Sequence, residues 1–185
     1  MSFISVGVEY ALHCLLFLVP PSGGSKEANV RDLALLQGVS VEYLAKLFTK
    51  LSRAGVVVAT EGAGGGFALA RPAKEISVLD VVLAIDGPKP LFECREIRAR
   101  CAVFGSKAPS WATSGFCSIH AIMLAAEDRM RDELSSHTLA SLVSQVADKA
   151  PRTFGVQIEK WFDSRKLNRS EDSQEPRVVK QSRRR

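Results

Sequence analysis

The feature that most restricts the fold of this 185-residue chain is the punctuation around two short runs, Val30–Gln37 and Val41–Arg53. Asn29 precedes the first run and Gly38 follows it; Ser40 precedes the second and Gly55 closes it. Asn and Ser side chains accept hydrogen bonds from the free N–H groups of a first helical turn. Glycine supplies the positive φ that ends a helix, so this spacing predicts two helices joined by a tight turn. The second run carries an apolar stripe at Val41, Leu44, Ala45, Leu47, Phe48 and Leu51. Directly after it come β-branched residues at 56–60, a glycine-rich tip at 61–66 and a returning apolar run at 67–70, the pattern of a β-hairpin. Two short helices with a glycine turn match a DNA-binding helix-turn-helix, and a hairpin directly behind them makes it a winged helix. The glycine cluster does not fit a phosphate-cradling loop, because no Gly-Lys-Ser/Thr follows and it opens a strand, not a helix. The expected class is mainly α with a small β-hairpin wing: a winged helix-turn-helix plus a long dimerisation helix.

Around that unit the reading is coarser. Val8, Leu12, Leu15 and Val19 share one face of a first helix over 5–19, which Pro20 and Pro21 stop. Glu9 and His13 interrupt its apolar run, and no Lys or Arg precedes Lys26, so neither a signal peptide nor a membrane span is expected, and the chain is placed in the cytoplasm. Ser77 caps a helix over Val78–Asp86 that Gly87 and Pro88 close. Residues 89–117 show no sustained period, which in a compact protein points to function. Ile119, Ile122, Met123, Ala126 and Met130 line one side of a long helix over 118–135, read as a dimerisation element, and a further helix runs over 138–146. The chain thus divides into a winged helix-turn-helix at 1–88, a metal-binding loop at 89–117, dimerisation helices at 118–149 and a polar, basic tail at 150–185, expected to be disordered.

The net charge of +5 invites a nucleic-acid reading, yet residues 164–185 hold eight Lys/Arg against three Asp/Glu, while 1–163 carry seventeen of each sign. The body is neutral, so DNA binding must rest on local pattern. Off the apolar stripe of the second short helix lie Glu42, Tyr43, Lys46, Thr49, Lys50 and Arg53. With the cap Ser40 and the wing residues Gly64 and Gly65, they are the expected DNA-binding set. A solvated helix face would look the same residue by residue; the order of the elements is what lifts the set.

Four cysteines in a cytosolic chain are poor candidates for structural disulfides, which leaves metal, redox chemistry or burial. Cys14 sits inside the first apolar run and reads as an inert buried thiol. Cys94, Cys101 and Cys117, with His120 three positions on, are spaced too loosely for a zinc ribbon and suit a loop that wraps a larger centre. Glu9 and His13 are four apart on one helical face, an arrangement also common in ordinary polar pairs. No nucleophile–base pair stands out, so no enzyme is expected.

Taken together, these residues resemble the Rrf2 family of bacterial winged-helix regulators over roughly residues 3–148. The marks are Glu9-Tyr10-Ala11-Leu12, Val41-Glu42-Tyr43-Leu44, Gly64-Gly65-Gly66-Phe67-Ala68-Leu69-Ala70-Arg71, residues 81–87 and a cysteine loop before a long helix. The resemblance implies a homodimeric, redox-sensing repressor that binds a palindromic operator in double-stranded DNA and carries an iron–sulfur cluster, of the 2Fe–2S type. Two ligand sets stay open. In the IscR-like one, Cys94, Cys101, Cys117 and His120 come from one subunit. In the RsrR-like one, Cys94 and Cys117 come from one subunit and Glu9 and His13 from the other; residues 8–14 and 94–98 resemble that subgroup more closely. Glu61 stands where IscR-like wings carry arginine, which argues against a minor-groove contact there. A cluster-free or zinc-binding regulator switched by thiol oxidation, a ligand or a partner protein is the alternative function, and a protein-docking adaptor the third.

Overall fold

The computed structural model describes residues 3–20, 24–60 and 65–172, with side chains as far as 167. Its helices are α1 (Val6–Leu16), α2 (Val30–Gln37), α3 (Val41–Arg53), α4 (Val78–Asp86), α5 (Ser110–Thr113), α6 (Ser118–Ser136), α7 (Leu139–Lys149) and α8 (Thr153–Asp172). A two-stranded antiparallel hairpin, β1 (Val57–Ala59) and β2 (Phe67–Leu69), lies between α3 and α4.

The caps act where the sequence places them. Asn29 Oδ1 accepts from the Arg31 N–H at 2.9 Å, and Ser40 Oγ accepts from the Tyr43 N–H at 3.3 Å. Ser77 and Asp80 form a reciprocal capping box at the start of α4. Gly38 turns between α2 and α3 at φ 66°. The first helix is shorter than its apolar pattern: α1 ends at Leu16, and the backbone tightens through Phe17, Leu18 and Val19 into bonds spanning three residues. Pro20 explains this, because a proline pushes the residue before it out of the α region and offers no N–H.

The core lies beneath α1–α4 and the hairpin. Val8, Leu15 and Leu18 pack with Leu33 of α2, with Leu44, Phe48 and Leu51 of α3, and with Val56, Ile76 and Val81, all nearly sealed from water. Phe67 of the wing lies 5.0 Å from Phe48, ring to ring. The wing base is joined to the segment before α2 by an Ala28–Phe67 bridge. Gly66 is required there, because a Cβ would strike the Ala28 carbonyl. The chain leaves this unit after α4, runs out along α6 and returns, pairing Ser77 with Thr138 so that Leu139 is buried in the same core.

Two elements depart from expectation. Residues 153–172 form α8, not a disordered tail: Phe162 is buried in the core, with Ile158 and Trp161 packed beside it. These few apolar residues sit at helical spacing among charged ones, so composition concealed them. The expected stripe on α6 is divided. Met123 and Met130 are half-buried, whereas Ile119 and Ile122 are 62% and 66% exposed.

Candidate metal centre and DNA interface

The residues singled out as ligands fall into two groups at opposite ends of α6. At its N-terminal end lie Cys94 and Cys117, both half-buried, with exposed Cys101 nearby in chain. Arg98 clamps the two cysteine segments together. Its guanidinium donates to the Gly115 carbonyl (3.2 Å from Nη1, 3.3 Å from Nη2) and to the Glu96 carboxylate (2.6 Å from Nε, 2.8 Å from Nη2). Glu96 holds φ at 44°, a left-handed conformation costing a non-glycine residue about 1 kcal/mol or more. The Arg98 fork holds the side chain of this strained residue. That contact with Glu96 holds the Arg98 guanidinium above its ordinary pKa, and Cys117 and Cys94 raise it further, so a fixed positive charge faces both thiols. His120 is stacked on Phe116 (ring centroids 5.0 Å, planes 23° apart) and also meets Phe92 at 6.1 Å.

Glu9 and His13 stand at the other end. Both are exposed on α1 and line a groove of about 660 Å³ whose walls include Leu12, Val82, Leu134 and Val146. Leu134 lies in the last turns of α6, sixteen residues beyond Ser118, and at 1.5 Å per residue this is about 24 Å of helix. Among the described residues of one chain, no three His, Cys, Asp or Glu side chains gather to hold a metal ion. The residues singled out as ligands thus lie in one chain as two separate pairs, a thiol pair and a carboxylate–imidazole pair. Cys14, by contrast, is fully buried in α1, and burial pushes its thiol up to about 12, as an inert core cysteine requires.

Helix α1 is tied to its neighbours at both faces. The Ser5 N–H and hydroxyl donate to the Asp86 carboxylate at the end of α4 (2.8 and 2.6 Å). Burial pushes the Asp86 carboxyl up, but the Ser5 bonds with Lys89 and Lys50 outweigh it, leaving it below its ordinary value. On the recognition helix α3, Tyr43 meets Tyr10 edge-on (6.0 Å), and its hydroxyl lies against Gly7 with no room for a Cβ. Sequence reasoning missed Arg98 and Asp86: each acts through contacts distant in the chain, to which no local pattern points.

The residues expected to bind DNA differ in their contacts. Lys46 and Arg53 are exposed on α3. Lys50 is engaged instead, its Nζ donating to the Ile85 carbonyl at 2.6 Å and so capping α4. Ser40 donates to Glu42 at 2.7 Å, and that bond is the first cause of the lowered Glu42 pKa. Thr49 bonds back to the Ala45 carbonyl. The Gly65 carbonyl accepts from Asn29 Nδ2 at 2.8 Å; Glu61 and Gly64 lie outside the described residues.

Residues 4–145, spanning the winged helix, both candidate ligand pairs and most of α7, match the family described as Rrf2, iron-dependent transcriptional regulator. The chain belongs to the Rrf2 family. Its Rrf2 relatives include the Rrf2 protein of Nitratidesulfovibrio vulgaris, 34% identical over 129 residues, which are 70% of this chain and 79% of that protein. The transcriptional regulator IscR of Photorhabdus laumondii is 34% identical over 123 residues, 65% of this chain and 68% of its own. Among solved structures, the Rrf2 fold recurs in CymR, the global cysteine regulator of B. subtilis (TM-score 0.59, 22% identity, 78% of this chain and 98% of that one). It recurs also in T. potens IscR (TM-score 0.57, 20% identity, covering 81% and 92%). As an Rrf2 protein the chain is a DNA-binding winged-helix transcriptional regulator and not an enzyme. Such regulators are typically dimeric. Among the described residues, no helix is long and apolar enough to cross a membrane.

Proposed function

We propose that this regulator is a homodimeric, redox-responsive repressor of the cytoplasm, holding a 2Fe–2S cluster between subunits: Cys94 and Cys117 from one, Glu9 and His13 from the other. The observation that carries this reading is the pair of half-sites separated along α6. A two-fold axis across the exposed Ile119–Ile122 face sets two α6 helices antiparallel. The thiol end of each helix then meets the Glu9–His13 end of its partner. The exposed isoleucines supply an apolar surface for that contact. The IscR-like set of Cys94, Cys101, Cys117 and His120 is less well supported, because among the described residues no three such side chains of one chain gather and His120 is stacked on Phe116 with Phe92 tilted beside it.

When bound, such a cluster supplies a one-electron change of charge whose potential follows its ligands. The remaining work falls to the chain. Arg98 keeps the two cysteine segments together and offsets thiolate charge. Glu9 and His13 sit on α1, whose neighbours Gly7 and Tyr10 touch Tyr43 of the recognition helix. A displacement of α1 therefore moves α3, and half-site spacing in a palindromic operator makes a dimer sensitive to such movement. In this reading Lys46, Arg53, Gly64 and Gly65 meet DNA, whereas Lys50, Thr49 and Tyr43 hold the recognition helix in place.

The test is iron, acid-labile sulfide and visible absorption on anaerobically purified protein, with Glu9→Ala, His13→Ala, Cys101→Ala and His120→Ala variants beside the wild type. Loss or alteration in the first two and retention in the last two is expected. The reverse pattern transfers the cluster to the IscR-like set. Zinc, or no metal, leaves a regulator switched by thiol oxidation or a ligand.

A further inference from the structure

Helix α8 lies beyond the residues that match the family, and its first turns line a cavity of about 580 Å³ together with α7 and the ends of α1 and α2. That volume falls within the range of small-molecule sites, about 300–1,000 Å³. Its walls are mainly apolar: Phe17 at the end of α1, Val143 and Val146 of α7, and Phe154 and Ile158 of α8. Two cations stand among them, Lys26 and Arg152, against a single carboxylate, Glu159. The Lys26 ammonium lies 4.9 Å over the Phe162 ring, a contact that holds a cation in place without cancelling its charge. Among the described residues, no carboxylate is ion-paired with Lys26 or Arg152. Gln37, the last residue of α2, also lines the cavity, and Gly38 after it turns the chain into α3.

We propose that this cavity is an effector site for a small apolar monocarboxylate, whose hydrocarbon body lies between α7 and α8 and whose carboxylate is held by the unneutralised cations Lys26 and Arg152. An apolar pocket with a few placed polar groups selects a ligand divided in the same way. Bonds from ammonium or guanidinium to a carboxylate are stronger than neutral ones, and Glu159 disfavours a second carboxylate on the same molecule. The occupant also touches Gln37, so its binding is felt at the turn that sets α3 against α2. By linkage, DNA and this ligand change each other's affinity by the same factor. Of the candidate metal ligands only His13 borders the cavity, and no bond to metal is used, so this inference does not depend on the cluster reading.

The experiment is calorimetric titration of the full chain with octanoate and with octanol, the same body without the charge. The wild type is compared with Lys26→Gln/Arg152→Gln and with Ala147→Phe. Ala147 lines the cavity from an exposed position on α7, so a phenyl ring there fills the space without entering the core. Octanoate is expected to bind the wild type once per chain. The charge variant should weaken octanoate at least about tenfold, as for one lost hydrogen bond to a charged group, and leave octanol unchanged. Ala147→Phe should abolish both. A saturating random-sequence duplex should shift the octanoate constant about fivefold or more. No saturable octanoate binding, or binding that survives Ala147→Phe, overturns the site. Undiminished octanoate binding in the charge variant overturns the carboxylate class, and a constant indifferent to DNA overturns the effector role. Dissociation of dimers on adding octanoate, followed by light scattering, assigns the cavity to a second copy of the chain and overturns the ligand reading.

Discussion

Co-expressing two complementary variants distinguishes a site shared between subunits from one built within a chain. One variant carries Cys94→Ser and Cys117→Ser; the other carries Glu9→Ala and His13→Ala. Different tags allow the mixed dimer to be isolated from both parents. Within one chain the two half-sites stand at opposite ends of α6, about 24 Å apart along the helix, whereas bonds to a metal are only about 2 Å long. No side-chain motion spans that distance, so a shared site requires one half from each subunit. Each parent dimer then lacks half of both sites and should contain little iron or sulfide. The mixed dimer has one complete site and one without ligands. It should therefore hold about half the wild-type iron per dimer, roughly two irons against four for 2Fe–2S centres. The assay is iron and sulfide per dimer, with visible absorption in anaerobic buffer. Full iron in the Glu9→Ala/His13→Ala parent would refute the argument in favour of the single-chain cysteine–histidine set. An empty mixed dimer, beside a loaded wild type, would refute sharing altogether.

Four further outcomes follow from the structure. Lys46→Ala should lower the salt slope of DNA binding by about 1, as for one lost phosphate contact. Lys50→Ala should leave that slope unchanged and cost about 0.5–1.5 kcal/mol of stability in urea denaturation, because it uncaps the Ile85 carbonyl; a loss of slope at Lys50 would return it to the DNA set. Asp86 is held below its ordinary pKa in the fold, so its stabilising contribution is complete above the unfolded carboxylate value near 3.9 and is lost as pH falls through the folded value. Asp86→Asn should therefore flatten the acid limb of a pH–stability curve below about pH 4, and a limb identical to wild type would remove Asp86 from that role. Gly66→Ala drives a methyl into the Ala28 carbonyl and should cost about 1–3 kcal/mol, with weakened DNA binding, as the wing separates from α2; a neutral result would show that the bridge is dispensable.

The winged helix was legible because each boundary is set by a local interaction. Asn29, Ser40 and Ser77 cap with their own side chains, and Gly38 takes the φ that its position demands. The same local logic fails for α8, where Ile158, Trp161 and Phe162 are too sparse to outweigh the surrounding charge until α1 and α2 are there to cover them. It fails for Lys50 as well: on a helical wheel it resembles Lys46, and only the arrival of α4 beneath it gives the ammonium a carbonyl. Glu9 and His13 rose above an ordinary polar pair only by resemblance, and the groove they line is built by α4, α6 and α7, which the α1 sequence cannot announce.

The end of α4 has a mechanical consequence. Asp86 holds the start of α1, the Ile85 carbonyl holds α3 through Lys50, and Gly87, at φ 78°, starts the path into the cysteine loop. The segment bearing Glu9 and His13, the segment bearing the thiols and the helix that reads DNA thus share one pivot, three residues long, at 85–87. In the proposed reading, a pull on either segment would be applied where Asp86 and the Ile85 carbonyl also hold α1 and the recognition helix. Loosening that pivot at Asp86 is expected to leave the pull without purchase while every ligand and every DNA contact is still in place.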